Sequence, residues 1–293
     1  HHYAHILSCM TENDCHDPVI GVAFDGTGYG TDGTIWGGEI LLADYENFTR
    51  FGSITPFLQI GGDASAKEGW RIAVSMIYGY TKDRELAWKI IEKLGLCNEQ
   101  ERKVQFTMAD RKINAVISTS VGRLFDAVSA ILGIRRQSSF EGEASMALEF
   151  AAEAYEQQNI IQGRDEKPDR LVYEKEERFI LNTRMLVQQI VEEKMQGADS
   201  SRLAYLFHQV LAEQITAACI EARSNSGRKK VSLSGGVFQN RLLLRLTEEQ
   251  LEQEGFEVLR HHMIPPNDGG IAIGQAAYGM WRLNNHGLQD RRI

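Results

Sequence analysis

Near its C-terminal end the chain reads strand, glycine turn, helix, strand, and no other stretch restricts the fold so tightly. KVSLS runs into Gly235 and Gly236, QNRLLLRLTEEQLEQEG follows as a helix, and FEVLRHHMI returns to a strand. A loop, PPNDGG, and a last helix, IAIGQAAYGMWRL, complete the pattern. Strand, glycine turn, helix is the unit that brings backbone N–H groups and the positive end of a helix up to a phosphate. It predicts an α/β protein.

The N-terminal part predicts an antiparallel meander. DPVIGVAF is a buried strand that ends at a glycine cluster, FDGTGYGTDGT, and TIWGGEILLAD and FTRFGSITPF are two more strands. From Ala66 the period turns helical, in EGWRIAVSMIYGYT, RELAWKIIEKLG, SVGRLFDAVSAILG and GEASMALEFAAEAYEQ. The charged stretch Asp165 to Arg178 is expected to be an exposed hairpin or insertion. Two amphipathic helices follow, TRMLVQQIVEEKMQG and SRLAYLFHQVLAEQITAACIEARS; in the second, Leu203, Leu206, Phe207, Val210 and Leu211 share a face.

A length of 293 residues with 43% hydrophobic and 25% charged residues suits one large or two ordinary globular domains. The net charge of −8 argues against a broad nucleic-acid surface. No apolar run approaches the roughly 20 residues of a membrane span. Cys9, Cys15, Cys97 and Cys219 form no CxxC pair, which predicts free thiols and a reducing, cytoplasmic setting. The chain opens HHYAHIL, without an initiator Met or the basic region of a signal peptide, as expected of a piece of a longer polypeptide.

Three turns carry the candidate chemistry: DGTGYG (Asp25 to Gly30), SGG (Ser234 to Gly236) and NDGG (Asn267 to Gly270). Each alone reads equally as a hairpin device. Together, at strand ends, they suggest a phosphate cleft, and the P-loop pattern GxxxxGK[ST] is absent. His1 and His5 stand at i, i+4, on one face of a helix, where they are either a pair of ligands for a divalent cation such as Zn²⁺ or Fe²⁺ or the residue of an affinity tag. His208, His261 and His262 read as structural.

The segments HHYAHILSCM, VIGVAFDGTGYGTDGTIWGGE, GGDASAKEGWR, TSVGRLFDAVSAILG, FEGEASMALE, LSGGVFQNRLL and PPNDGGIAIGQA resemble, in this order, the carboxy-terminal part of the HypF carbamoyltransferases of [NiFe]-hydrogenase maturation. The resemblance runs from His1 to about Gly279 and is loose over residues 158–200. It speaks against a tag, because the family has a histidine cluster at that place. It departs at KEGWR, Lys67 to Arg71, where the family commonly has Arg-Glu-Pro-Trp-Arg.

This resemblance implies a lobe of the actin-like ATPase (ribonuclease H-like) superfamily, a mixed sheet flanked by helices with the first lobe missing or incomplete. Residues 1–17 would be a metal-binding helix left from that lobe. Residues 18–268 would be the second lobe, with helical insertions at about 66–200, and 269–293 a closing helix. The implied ligands of a divalent metal (Fe²⁺, Zn²⁺ or Mg²⁺) are His1, His5, Asp25 and Asp268. Contacts to ATP or carbamoyl-adenylate would come from Gly26, Thr27, Gly28, Gly30, Asp126, Glu141, Gly235, Gly236 and Asn240. No catalytic nucleophile is implied, since the thiolate of the partner HypE attacks; upstream HypF domains are the other expected partners. The alternatives are a small-molecule O-carbamoyltransferase, a docking module without turnover, or a kinase-like ATPase; the unbroken GTGYGTDGTIWGGE favours the hydrogenase branch.

Overall fold

A computed structural model describes residues 1–162, 174–175 and 178–286. Helix α1 (His2–Glu12) leads into β1 (Val19–Tyr29), β2 (Ile35–Ala43), β3 (Phe48–Ile54) and β4 (Phe57–Ile60). Helices α2 (Gly69–Thr81), α3 (Arg84–Lys93) and α4 (Glu99–Arg111) precede a short strand, β5 (Ala115–Ser118), then α5 (Val121–Ile131) and α6 (Glu143–Gln162). Strands β6 (Glu174–Lys175) and β7 (Phe179–Leu181), helices α7 (Thr183–Met195) and α8 (Ser200–Ser226), then β8 (Lys230–Ser234), α9 (Arg241–Gln253), β9 (Glu257–Leu259) and α10 (Ile271–His286) complete the order.

The strands form one mixed sheet in the order β6-β7-β3-β2-β1-β8-β9, with β5 joining β2 and β4 joining β5. The meander β1-β2-β3 is antiparallel, as its sequence predicts. β8 lies parallel to both β1 and β9, so the strand–turn–helix–strand unit is a true βαβ crossover. Most of the stretch Asp165 to Arg178 lies outside the described residues; Glu174–Lys175 pairs antiparallel with β7.

β1 is buried on both faces, which explains its nearly unbroken apolar run. Ile20, Val22 and Phe24 enter the large core beneath α2, α5 and α8, while Val19 and Ala23 pack with Ile6, Leu7 and Met10 of α1 on the opposite face. Leu203, Phe207, Val210 and Leu211 of α8 are buried in the large core and Leu206 is half-buried against it, close to the face its sequence marks. Helix starts follow local chemistry: Asp83, Asn98, Ser120, Asn182, Asp199 and Asn240 cap their helices with side-chain oxygens.

The glycine cluster differs from its sequence reading. DGTGY is not a turn but the second half of β1, and the hairpin closes later, with the Gly30 N–H donating to Thr34 O at 3.0 Å. The spacing of Gly28, Gly30 and Gly33 has the rhythm of a dinucleotide loop, yet the segment joins two antiparallel strands rather than a strand to a helix. Pairing runs Phe24↔Gly38 and then Gly28↔Trp36, so β1 spends four steps where β2 spends two. The surplus is a bulge over Asp25–Thr27, the device by which a strand re-aims a side chain.

Candidate metal and nucleotide site

The bulge turns Asp25 toward the N-terminal end of α1. Its Oδ2 lies 2.9 Å from His1 Nε2 and 3.3 Å from His5 Nε2. Asp268, in the single turn before α10, brings Oδ1 to 3.6 Å from His1 Nε2 and 3.5 Å from His5 Nε2. One donor atom from each of His1, His5, Asp25 and Asp268 falls within 4.8 Å of all the others. A tetrahedral shell with bonds of about 2.0–2.1 Å has edges of roughly 3.3–3.5 Å, so this set fits a small divalent cation with little movement. Two imidazoles and two carboxylates suit Zn²⁺ or Fe²⁺ better than Mg²⁺.

Electrostatics favour the ligating carboxylate at Asp25, whereas at His1 they favour the protonated ring, whose proton a cation would displace. Burial works against the Asp25 anion, but hydrogen bonds from His1 and His5 outweigh it and hold the carboxyl well below the usual range. The hydrogen bond to Asp25 raises His1 against the opposing effect of its partial burial. His5 is 1% exposed at its side chain and Asp268 73%, so the site is closed at its base and open on the Asp268 side.

The SGG turn packs against the same carboxylate. Gly235 has φ +100°, and a Cβ there would overlap the Phe24 carbonyl oxygen, so only glycine fits. The Gly236 N–H donates to Asp25 Oδ1 at 3.2 Å, and the Gly235 N–H donates to Pro266 O at 3.0 Å. The sequence reading gave the N–H groups of the glycines at 26–30, 235 and 236 to a phosphate; those of Gly30, Gly235 and Gly236 donate within the protein. What remains for a ligand is bare surface. A Cβ on Gly26 would meet nothing within 4 Å, and the Gly26 carbonyl accepts from Ser120 Oγ at the N-cap of α5. Thr27 is exposed next to it, its hydroxyl turned back to Gly26 O at 2.7 Å.

Gly28 serves the histidines. A Cβ there would overlap His2 Cε1 and stand 2.5 Å from His1 Cδ2. His2 is 2% exposed with neither ring nitrogen hydrogen-bonded, and burial, aided by His1, lowers it to about 3, so it packs as a neutral ring beside Trp36.

The remaining sequence-assigned residues lie apart from this cluster in their contacts. Asn240 is consumed within the fold: Oδ1 caps α9 through Leu243 N at 2.8 Å, and Nδ2 donates to His208 Nε2 at 2.9 Å. It shapes the site through α9 rather than by its own amide. His208 is fully buried, donates from Nδ1 to Ala204 O, and is lowered by burial to about 4, in keeping with a structural histidine. Asp126 is buried on α5 and paired with Arg123 at 2.8 Å, but burial wins and lifts its carboxyl to about 6. Glu141 is exposed in the turn before α6, where Glu143 makes the bonds to Ser139.

Sequence reasoning read His261 as structural and Ser234 as part of a turn, and missed Glu12 and the link that joins the three. Glu12 Oε2 accepts from His261 Nδ1 at 2.8 Å, and His261 Nε2 lies 2.8 Å from Ser234 Oγ. Glu12 Oε1 accepts from the backbone N–H of His262, Met263 and Ile264. Burial opposes its charge, but these donors hold the carboxyl down to about 2. No local pattern could reveal a bond spanning 249 residues.

Asp25 lies within β1, two residues past the point where its parallel pairing with β8 ends at Ala23↔Ser234, and Gly235 stands just beyond β8. The carboxyl ends of parallel strands are where open α/β sheets bind ligands. Residues 21–275 match the family described as carbamoyltransferase, Kae1-like domain, second subdomain, and the chain belongs to that family. Proteins similar to it include HypF carbamoyltransferases. It is 34% identical over 278 residues to a carbamoyltransferase HypF homolog of Cupriavidus necator, covering 94% of this chain and 68% of that one. It is 33% identical to carbamoyltransferase HypF of Synechocystis over 94% of this chain and 36% of the relative. A crystal structure of full-length HypF in the phosphate- and nucleotide-bound form superposes with TM-score 0.86 at 36% identity, over 98% of this chain and 43% of that one. The HypF of T. kodakarensis gives 0.84 at 30% identity, over 98% and 36%. The chain thus spans a third to two thirds of the length of these relatives. Among the described residues no helix is long and apolar enough to cross a membrane.

Proposed function

We propose that this chain is the transferase module of a HypF-type enzyme, passing a carbamoyl group from carbamoyl-adenylate to the C-terminal cysteine of HypE, in the cytoplasm, on the route to the cyanide ligands of [NiFe]-hydrogenase. The observation that carries the proposal is the convergence of His1, His5, Asp25 and Asp268 beside the bare Gly26 surface, in a chain of the carbamoyltransferase family. In the reaction the acceptor thiolate sulfur attacks the carbonyl carbon, the S–C bond forms, the C–O bond to phosphate breaks, and AMP leaves with the electron pair.

The four ligands would hold Zn²⁺ or Fe²⁺, which when bound supplies positive charge to polarise the carbonyl or hold the phosphate. The chain's own residues do the rest. In the metal-free chain Asp25 keeps its charge because His1, His5 and the Gly236 N–H satisfy both carboxylate oxygens. Gly26 gives the nucleotide a surface without side-chain bulk, with the Thr27 hydroxyl beside it, and the glycines of SGG let β8 close against Phe24 and Asp25. The N-cap of α5 ties that surface to the core through Ser120. Asp126 and Glu141 act as outer elements of the nucleotide cleft, and upstream HypF domains supply the adenylate. No protein nucleophile is needed, because the acceptor thiolate is one.

The test is metal content by mass spectrometry with ATP binding by calorimetry on the same tag-free sample, repeated for Asp268→Ala. About one metal per chain with ATP binding, and loss of the metal in D268A, is expected. Stoichiometric metal in D268A would refute the ligand set. Failure of the longer protein to add one carbamoyl to the HypE tail, read as intact mass, would refute the reaction.

A further inference from the structure

Helix α1 carries more than ligands. His1, His5, Ser8 and Glu12 recur at intervals of four, three and four, which places them on one face. The whole stripe meets a single segment, residues 260–270. At the C-terminal end of the helix, Glu12 binds three successive N–H groups and His261, and Asn13 Nδ2 donates to Arg260 O at 3.0 Å. In the middle, a Cβ on Gly270 would stand 3.2 Å from Ser8 Oγ. At the N-terminal end His1 and His5 face Asp268.

From this we infer that Glu12 is a positioning residue, which sets Asp268 at its distance from His5 by clamping the far end of the segment that carries it. The inference rests on the ligand reading above. The geometry is close to taut. Seven residues of helix from His5 to Glu12 rise about 10 Å. The four steps from Ile264 to Asp268 reach about 13 Å at full extension, and Pro265-Pro266 confines half of them to a stiff, extended form. Only a few ångströms of slack remain, and the Gly235 N–H on Pro266 O fixes the strut midway. His261, donating to Glu12 through Nδ1, accepts Ser234 Oγ–H at Nε2 and ties the clamp to the end of β8. Ser, His and Glu in this order have the connectivity of a hydrolytic triad, but Ser234 is 0% exposed and no substrate reaches it. The relay therefore holds structure and does no chemistry.

The experiment compares wild type, Glu12→Gln, Glu12→Asp, Asp268→Ala and the E12Q/D268A double variant. Zn²⁺ affinity is measured by chelator competition. Hydrogen exchange is followed at Gly269 and Gly270, whose amides donate to Asn267 Oδ1 and Asn267 O. Glu12→Gln is expected to weaken Zn²⁺ by about 10–100-fold and to speed exchange at both glycines, with E12D losing less. The double variant is expected to bind no more weakly than D268A alone, because Glu12 acts only through Asp268. Wild-type affinity and exchange in E12Q, or losses that multiply in the double variant, overturn the inference. If wild type binds no Zn²⁺, the ligand reading fails, and exchange alone decides the clamp. If E12Q does not fold, the same two readouts on E12D decide it.

Discussion

Substituting Gly28 by alanine separates two uses of the glycine-rich strand. If Gly28 exists to bare the backbone for a nucleotide, alanine keeps the N–H and disturbs the ligand alone. If it exists to make room for α1, alanine disturbs the histidines. Gly28 is not among the glycines with positive φ, so the backbone accepts alanine and the effect is steric. The added Cβ would lie 2.5 Å from His1 Cδ2 and 2.9 Å from His2 Nδ1. Carbon atoms in contact sit at about 3.5–4.0 Å, so the His1 ring must retreat by about 1 Å, several times the ±0.2 Å that a metal–ligand distance tolerates. Overpacking of this kind costs about 1–3 kcal/mol. His1, partly exposed, relieves its share by swinging out in the metal-free chain, and binding a cation imposes it again, while the closer contact with Cε1 of buried His2 weighs on both states. Zn²⁺ affinity is therefore expected to fall by about 5–150-fold, at 1.4 kcal/mol per factor of ten, with the melting temperature lowered by several degrees through the His2 contact. Chelator competition and ATP calorimetry on one sample read both uses. Zn²⁺ affinity within twofold of wild type, with ATP binding lost, would refute the packing argument.

Asn240→Ala removes a helix cap worth about 1 kcal/mol and strands the buried His208 Nε2 at about 1–3 kcal/mol. Urea unfolding should show the sum, while ATP affinity of the folded chain stays unchanged. Asp126 gives a pH signature: its folded carboxyl, near 6, lies above the unfolded value, so its contribution favours folding at low pH and is lost as pH rises from about 4 through 6. Relative to Asp126→Asn, wild type is expected to lose on the order of 2–3 kcal/mol between pH 4 and pH 7.5, measured by denaturant titration at both. Cys9 and Cys219 are buried, with thiols that burial pushes up (Cys9 to about 12), so both should resist a thiol reagent in the native state and react on unfolding.

Local chemistry alone determined much of this protein. Apolar runs marked β1, β2 and β3. Helical spacing marked α2, α5 and α8, and the sequence around Gly235-Gly236 marked the βαβ unit. These signals are legible because a strand's period of two and a helix's of 3.6 depend only on near neighbours. The i, i+4 histidines were legible for the same reason, and the family motifs added Asp25 and Asp268. Short β5 and β7 went unseen because pairing partners, not their own few residues, make them strands. Helix α4 was missed because its mostly polar sequence has only a faint apolar face. Only the tertiary structure decided what each glycine and polar group does. Gly28 makes room for His1 and His2 at the far end of the strand's preceding helix, Asn240 spends its side chain on a cap and a buried imidazole, and Glu12 grips a loop 250 residues away. Each of these jobs is assigned by a neighbour that the chain brings close only when the sheet has ordered β1 beside β8, and nothing within a few residues of Gly28, Asn240 or Glu12 records that order.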